Sequence, residues 1–294
     1  MVIHQNARPQ KPDRVVVVGA RGFIGAAICS RLEGNGIRAA ALSSRDVDLA
    51  ALTATERLVG LLEPSDCVVM LAALTPDKGR DSATFMKNLV MMQHVSAAVQ
   101  RKGCAHFVYM SSDAVYDPAV ARVTEDTPPS PKDLYGMMHY ARELMAHSIA
   151  KAPVLILRVT LVYGVDDTHN SYGPNRFRRA AQKEGRITLF GGGEERRDHI
   201  HVDDVAELTV RCLLNRSVGT LNIATGTSFS FKDVASLVAS QFDQEIEVVE
   251  SPRATPITHR HYDVTQLIKA FPDVRFIPLA QGVARVHRES QASG

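Results

Sequence analysis

The stretch RVVVVGARGFIGAAICSRLEGNG, residues 14–36, decides the fold. Its four consecutive valines, Val15 to Val18, are β-branched and apolar on both sides of a pleat, which reads as a strand buried on both faces. Gly19, Gly22 and Gly25 follow, and then an Ala/Ile/Leu run of helical spacing that stops at Gly34 and Gly36. The order is strand, tight turn, helix. In such a turn Gly19 permits the sharp bend, Gly22 lets backbone approach a pyrophosphate, and Gly25 lets the helix pack on the strand. Phe23 and Ile24 open the helix beside that site. A ligand-free structural turn is the alternative, but glycines placed directly between a strand and a helix favour a dinucleotide.

Working outward, strands and helices keep alternating. IRAAAL (37–42) is a second strand, and SSRDVDLAALTATERLVGLL (43–62) holds a helix that Thr53 caps. DCVVMLAAL (66–74), HFVYMSS (106–112) and PVLILRVTLVYG (153–164) are further strands, with helices over 81–103 and 134–150 between them. This alternation predicts an α/β fold with a doubly wound parallel sheet over residues 14–165. Residues 166–294 are choppier and predict a smaller C-terminal substrate lobe, with a segment at about 198–215 packing back on the sheet domain. Residues 1–13, polar with two prolines, read as a disordered leader with no signal-peptide core.

Composition excludes several classes. Of 294 residues, 45% are hydrophobic and 22% charged, and the net charge of +2 gives no reason to expect nucleic acid or an anionic membrane as partner. No apolar run approaches the ~18 residues of a membrane helix. Cys29, Cys67, Cys104 and Cys212 form no CxxC pair, so neither a zinc site nor a disulfide framework is indicated, and a cytoplasmic location fits.

The type of dinucleotide should be written near the end of the second strand, where an acid would hold a ribose with two free hydroxyls. Leu42, Ser43, Ser44 and Arg45 stand there, with no acid until Asp46. Hydroxyls and a guanidinium suit a 2′-phosphate, so NADP is expected, with NAD as the alternative. Asp48 and Leu49 would bond and cover the adenine, or else begin the next helix.

The ordered set GARGFIG, MLAAL, Asn88, SSDAVY, Tyr135 with a basic residue four later, and RRDHIHVDDVA resembles the extended short-chain dehydrogenase/reductase family, in its nucleotide-sugar epimerase, dehydratase and reductase branch. The resemblance implies a Rossmann-type domain, a nicotinamide cofactor and an active site between the lobes. Position by position, it implies that Leu71, Ala72, Ala73 and Asn88 lie at the cofactor and that Thr75 meets the substrate. Ser112 would bond the sugar hydroxyl or ketone and Tyr135 would be the acid/base. The family lysine falls at His139, which is a departure. Asp113 stays, but Ala114 replaces the glutamate of the family's dehydratases, which disfavours dehydration. Asn175 resembles an asparagine near the nucleotide diphosphate, Phe190 lies where a strand meets the base, and Arg197 resembles an arginine that pairs with a phosphate. His169, His199 and His201 are not read as a metal site. The helices over 82–101 and 135–150 resemble those that pair in family homodimers, and Met86, Met91 and Met92 would give an adaptable face or belong to the core.

His139 bears on the chemistry. A tyrosine of pKa near 10 is a poor base at neutral pH, and a neutral imidazole supplies less field than an ammonium. Tyr135 is therefore expected to stay protonated, which harms reduction of a ketone less than oxidation of an alcohol. Glu143, four residues on, is expected to favour a charged His139, and His139→Lys to raise the rate. The expectation is an NADPH-dependent 4-keto-sugar reductase. An NAD-dependent C4 epimerase and a non-catalytic dinucleotide-binding protein are the alternatives.

Overall fold

A computed structural model describes residues 2–150, 152–167, 169, 170, 172–253 and 255–292. The chain begins with β1 (Ile3–His4), β2 (Val15–Val18), α1 (Phe23–Gly34), β3 (Ala39–Leu42), α2 (Ala54–Leu61), β4 (Cys67–Met70) and α3 (Ser82–Lys102). It continues through β5 (His106–Ser112), a 3-10 turn (Asp113–Val115), β6 (Arg122–Val123), α4 (Leu134–His147), β7 (Val154–Val159) and β8 (Leu161–Tyr163). Then come α5 (Pro174–Glu184), β9 (Arg186–Phe190), β10 (Arg196–His201), α6 (Val202–Leu214), β11 (Ser217–Ile223), β12 (Ser228–Ser230) and α7 (Phe231–Ala239). The last elements are β13 (Glu247–Ser251), β14 (His261–Tyr262), α8 (Thr265–Ala270) and α9 (Leu279–Ala292).

The large sheet runs in the order β1-β11-β7-β5-β4-β2-β3. All its pairings are parallel except β1 with β11. Every residue of β2, β4 and β5 is buried, as helices on both faces require. Val15, Val17, Val69 and Leu157 face Ile28 and Leu32 of α1 and Val205 and Leu208 of α6. Val16, Val18, Val68, Phe107 and Tyr109 face Leu58 of α2, Met92 and Val95 of α3 and Ala146 of α4. The doubly wound sheet expected from the alternation is present. The strand ends Val18, Met70, Ser112 and Val159 point to one edge, the usual place for a ligand in such a sheet.

Two segments differ from the expectation. Ile3 and His4, expected to fray with the leader, pair with Val218 and Ser217 at the sheet edge. His4 Nδ1 bonds Ser217 Oγ at 2.8 Å and Nε2 bonds the Ala270 carbonyl at 3.0 Å. A two-residue strand held by one side chain gives no periodic signal. The return to the sheet also extends beyond residue 215, because β11 forms a full strand of it. Its SVGTLNI sequence mixes small polar residues with apolar ones and does not announce a buried strand. Met91 and Met92 are core residues, whereas Met86 is exposed.

The lobe has its own core, with Phe177, Ile187, Leu189, Phe231, Val234 and Val283 among its members. Its small sheets are β12-β10-β8 and the parallel pair β9 and β13. No helix of the described residues is long and apolar enough to cross a membrane.

Candidate active site

The glycine turn is dictated by close approach. Gly19 has φ +98°, and a Cβ there would lie 2.7 Å from the Ala72 amide nitrogen; at Gly25 it would lie 2.2 Å from the Gly19 carbonyl oxygen. Gly22 stands at the N-cap of α1 with no capping side chain, and no acid occupies the first turn. The first N–H groups of α1 are therefore open to an anion. They face a groove walled by Gly19, Gly22, Phe23, Ile24 and Gly25 on one side and by Leu71, Ala72 and Ala73 on the other. Asn88 does not line this groove but shapes it: its Oδ1 accepts from Leu74 N at 2.8 Å, and its Nδ2 donates to Leu74 O at 3.0 Å. The cradle fits a dinucleotide pyrophosphate, and the strand ends leave room beyond it for the nicotinamide.

At its far end the groove is lined by Ser43, Ser44, Arg45 and Arg21. The first acid, Asp46, is engaged locally, accepting from Ser43 N at 2.8 Å and Ser43 Oγ at 2.7 Å. Those bonds hold its carboxyl below the usual range. Asp48 and Leu49 do not reach the groove, a correction to the adenine role. Asp48 Oδ1 accepts from Ala50 N at 3.0 Å, and Leu49 is buried in the core with its carbonyl taken by His94 Nδ1.

The reacting end is built by the seating of α4. Asp133 caps the helix, its Oδ1 accepting from Gly136 N at 2.7 Å. Any side chain at Gly136 would collide with the Ala114 carbonyl oxygen, 2.1 Å away, so the helix lies directly on the 3-10 turn. This brings Tyr135 and Ser112 to one wall, where both line the dinucleotide groove and the cleft beside it. Burial pushes the Tyr135 phenol up to about 12, with Asp113 adding to the rise while Ser112 and Arg142 oppose it.

His139 is buried and lines the same groove. Burial, and then the Arg142 charge, push its imidazole down to about 3, so it is neutral at physiological pH. Its ring meets that of Tyr135 edge-on at 4.7 Å. Tyr109 Oη lies 2.8 Å from His139 Nδ1. Burial keeps the Tyr109 phenol protonated, and this bond fixes the orientation of the imidazole, leaving Nε2 a buried atom with no partner among the described residues. Glu143, expected to charge His139, is used elsewhere. It takes two hydrogen bonds from Arg158, at 3.0 and 2.7 Å, and one from Ser111 Oγ.

The substrate side departs further from the sequence expectation. Thr75, Asp113, Thr160, Tyr172 and Arg176 line the cleft next to Tyr135, together with Arg80 and His169. Asp113 is held rather than free, accepting from Tyr262 Oη at 2.6 Å with Arg260 Nη1 at 3.5 Å. Asn175 is buried on α5, where its Nδ2 donates to Asp167 at 2.7 Å, and it does not reach the cleft. Arg197 donates to Thr258 O and, at 2.9 Å, to Thr258 Oγ1, and it stands behind the cleft wall near Asp113 rather than in the lining. Phe190 is exposed and stacks on Tyr172 with centroids 4.8 Å apart. Arg21, Arg80 and Arg176 escaped the sequence reading. Arg21 sits inside the glycine motif, which was signal enough; Arg176 follows the residue that was chosen by one position.

A glycine cradle at a helix N-terminus, a Ser/Tyr wall at the strand ends and an adjoining polar cleft define an oxidoreductase of the extended short-chain dehydrogenase/reductase type. The chain belongs to the NAD dependent epimerase/dehydratase family, whose model matches residues 15–224, and it is accordingly an enzyme that uses a nicotinamide dinucleotide. The dTDP-L-rhamnose 4-epimerase of Burkholderia thailandensis is 26% identical over 320 residues, covering 86% of this chain and 88% of that protein. Among solved structures, MoeE5 in complex with UDP-glucose and NAD matches with a TM-score of 0.80 at 25% identity, covering 95% of this chain and 99% of that one. The GDP-L-fucose synthetase of Naegleria fowleri bound to NADP matches with a TM-score of 0.85 at 17% identity and 98% coverage of each chain, a likeness of fold.

Proposed function

We propose that this enzyme is an NADPH-dependent reductase of a nucleotide-linked 4-keto sugar. One observation carries the direction: beside a neutral His139, the Tyr135 phenol is pushed up to about 12. Such a tyrosine is a proton donor at neutral pH and a weak base. Bound in the groove, the cofactor supplies hydride. Ser112 and Tyr135 hydrogen-bond the ketone oxygen, and Tyr135 gives it a proton. His139 Nε2, aimed by the Tyr109 bond and without a partner among the described residues, would hold the cofactor ribose by a hydrogen bond. Arg21 and Arg45, with Asp46 engaged by Ser43, support the 2′-phosphate of NADPH. The nucleotide-sugar substrates named for the relatives support that substrate class.

The test is a panel of nucleotide-linked 4-keto sugars with NADPH and NADH. Stoichiometric oxidation of NADPH with formation of the 4-hydroxy sugar is expected. Interconversion of C4 epimers on copurified NAD, without net consumption, would overturn the reductase reading in favour of a C4 epimerase, which the Burkholderia relative supports. Cofactor binding with no turnover on any sugar would leave a non-catalytic dinucleotide-binding protein. Exposed Met86 on α3 and Met137 and Leu144 on α4 support a homodimer through these helices, to be checked by light scattering. Four free thiols fit a reducing cytoplasm.

A further inference from the structure

Arg142 has no place in the chemistry so far. It follows His139 by three residues and Tyr135 by seven, which puts all three on one face of α4. Its side chain is fully buried. Its Cζ lies 5.2 Å from the centroid of the Tyr109 ring. Its Nη2 donates to the Ala72 carbonyl in the groove wall at 2.8 Å, Nη1 reaches Met138 Sδ at 3.7 Å, and Nε has no partner. Among the described residues it forms no ion pair, since the adjacent Glu143 is committed to Arg158. A guanidinium remains charged, and burying a charge without an anion is costly. A site that keeps one over the Tyr109 ring, on the helix face that carries His139 and Tyr135, is a functional candidate.

We infer that Arg142 is the positioning residue that supplies Tyr135 with a fixed positive charge, stabilising the phenolate formed when Tyr135 gives up its proton. The inference rests on the reading of Tyr135 as proton donor. In that step the Tyr135 O–H bond breaks and the proton forms the O–H bond of the alcohol. The carbonyl carbon accepts hydride from dihydronicotinamide, and the electron pair stays on Tyr135 Oη until solvent returns a proton. Of the charged groups acting on Tyr135, Asp113 in the 3-10 turn and Asp133 at the helix cap oppose ionisation, while Arg142 favours it. His139 is neutral, Tyr109 is protonated and faces it from β5, and Arg80 and His169 line the cleft. Arg142 thus returns a part of the field lost with the lysine at position 139, three residues along the helix, while burial and Asp113 still hold the phenol at about 12.

The experiment compares Arg142→Met, Arg142→Lys, His139→Lys and the double variant Arg142→Met/His139→Lys in the full chain. Tyrosine ionisation is read by ultraviolet difference spectra with a trifluorinated tyrosine at position 135, whose phenol is acidic enough to ionise while the chain stays folded, each variant against the same protein carrying Tyr135→Phe, and turnover is read against pH. Arg142→Met should raise the pH at which Tyr135 ionises by about one unit or more. It should also lower kcat by about tenfold or more with little change in KM. Arg142→Lys should retain most of both properties. His139→Lys alone should not raise the rate, because it places a second cation beside Arg142, whereas the double variant should recover what Arg142→Met loses. An unchanged Tyr135 titration in Arg142→Met, or a folded double variant with no recovery, overturns the inference. If Arg142→Met does not fold, Arg142→Gln against Arg142→Lys decides it by the same titration. The titration needs no substrate, so a wild type inactive on every sugar sinks the reductase reading while the spectra still decide the role of Arg142.

Discussion

The two sides of the cleft are made from different material. The dinucleotide side is chiefly main chain: the glycine turn, the N-terminus of α1 and the Ala72 backbone pressed against Gly19. The substrate side is made of long side chains, Arg80, Arg176, His169 and Tyr172, carried on loops and the start of α5. Main-chain contacts tolerate few residue types, so the first side leaves a readable mark. Side chains can reach one ligand from many positions, so the second side leaves almost none.

Variants can test this contrast, beginning with the largest effect. Tyr135→Phe stands where the sides meet and should reduce kcat by about 10²–10⁴-fold, with dinucleotide affinity nearly unchanged by calorimetry. Loss of cofactor binding instead would mean that Tyr135 belongs to the dinucleotide side. Gly25→Ala forces a Cβ to within 2.2 Å of the Gly19 carbonyl oxygen and should cost about 1–3 kcal/mol in denaturant unfolding, with weaker dinucleotide binding as well.

On the other side, Arg176→Ala should raise the substrate KM by about tenfold, the loss of one charge-assisted contact. Arg197→Ala should leave KM nearly unchanged and lower the melting temperature, since its hydrogen bonds go to Thr258. The reverse result would restore Arg197 as a phosphate ligand. The smallest effect is shared by both regions. Burial lowers His106, at the start of β5, and His199, in β10, from 6.5 to about 4. The unfolded chain takes up protons first, so this stability is present above pH 6.5 and is lost as pH falls towards 4. Each histidine should contribute a loss of about 1.4 kcal/mol per pH unit in that window, measured by urea unfolding from pH 7 to 5. A flat profile would show that these rings are charged in the native state.

What the sequence disclosed follows the same division. Val15–Val18 and the glycines are forced by burial on two faces and by close approach, so both strand and turn were legible. Ser112 and Tyr135 were legible because their order along the chain resembles a family pattern, and the structure sets them on one wall. Arg197 and Asn175 carry the same family likeness, but hydrogen bonds that the motif does not reveal engage them, to Thr258 for one and to Asp167 for the other. Arg142 was invisible because an arginine on an amphipathic helix reads as a solvated charge. Only the packing of Tyr109, Ala72 and Met138 around it shows that it is enclosed. Glu143 was legible as a helical neighbour of His139, yet the stronger claim on it comes from Arg158, on a strand that helical spacing cannot reveal.

The short edge strand has a consequence in time as well as in space. Residues 3 and 4 pair with residues 218 and 217, and His4 also holds the carbonyl of Ala270. A chain emerging from the ribosome can close β2, β3, β4 and β5 early, but β1 has no partner until β11, 213 residues after His4, has been made. Assembly of this sheet therefore ends on a strand made before all the others in it, and bulk attached ahead of Ile3 would hinder the last step of folding rather than the first.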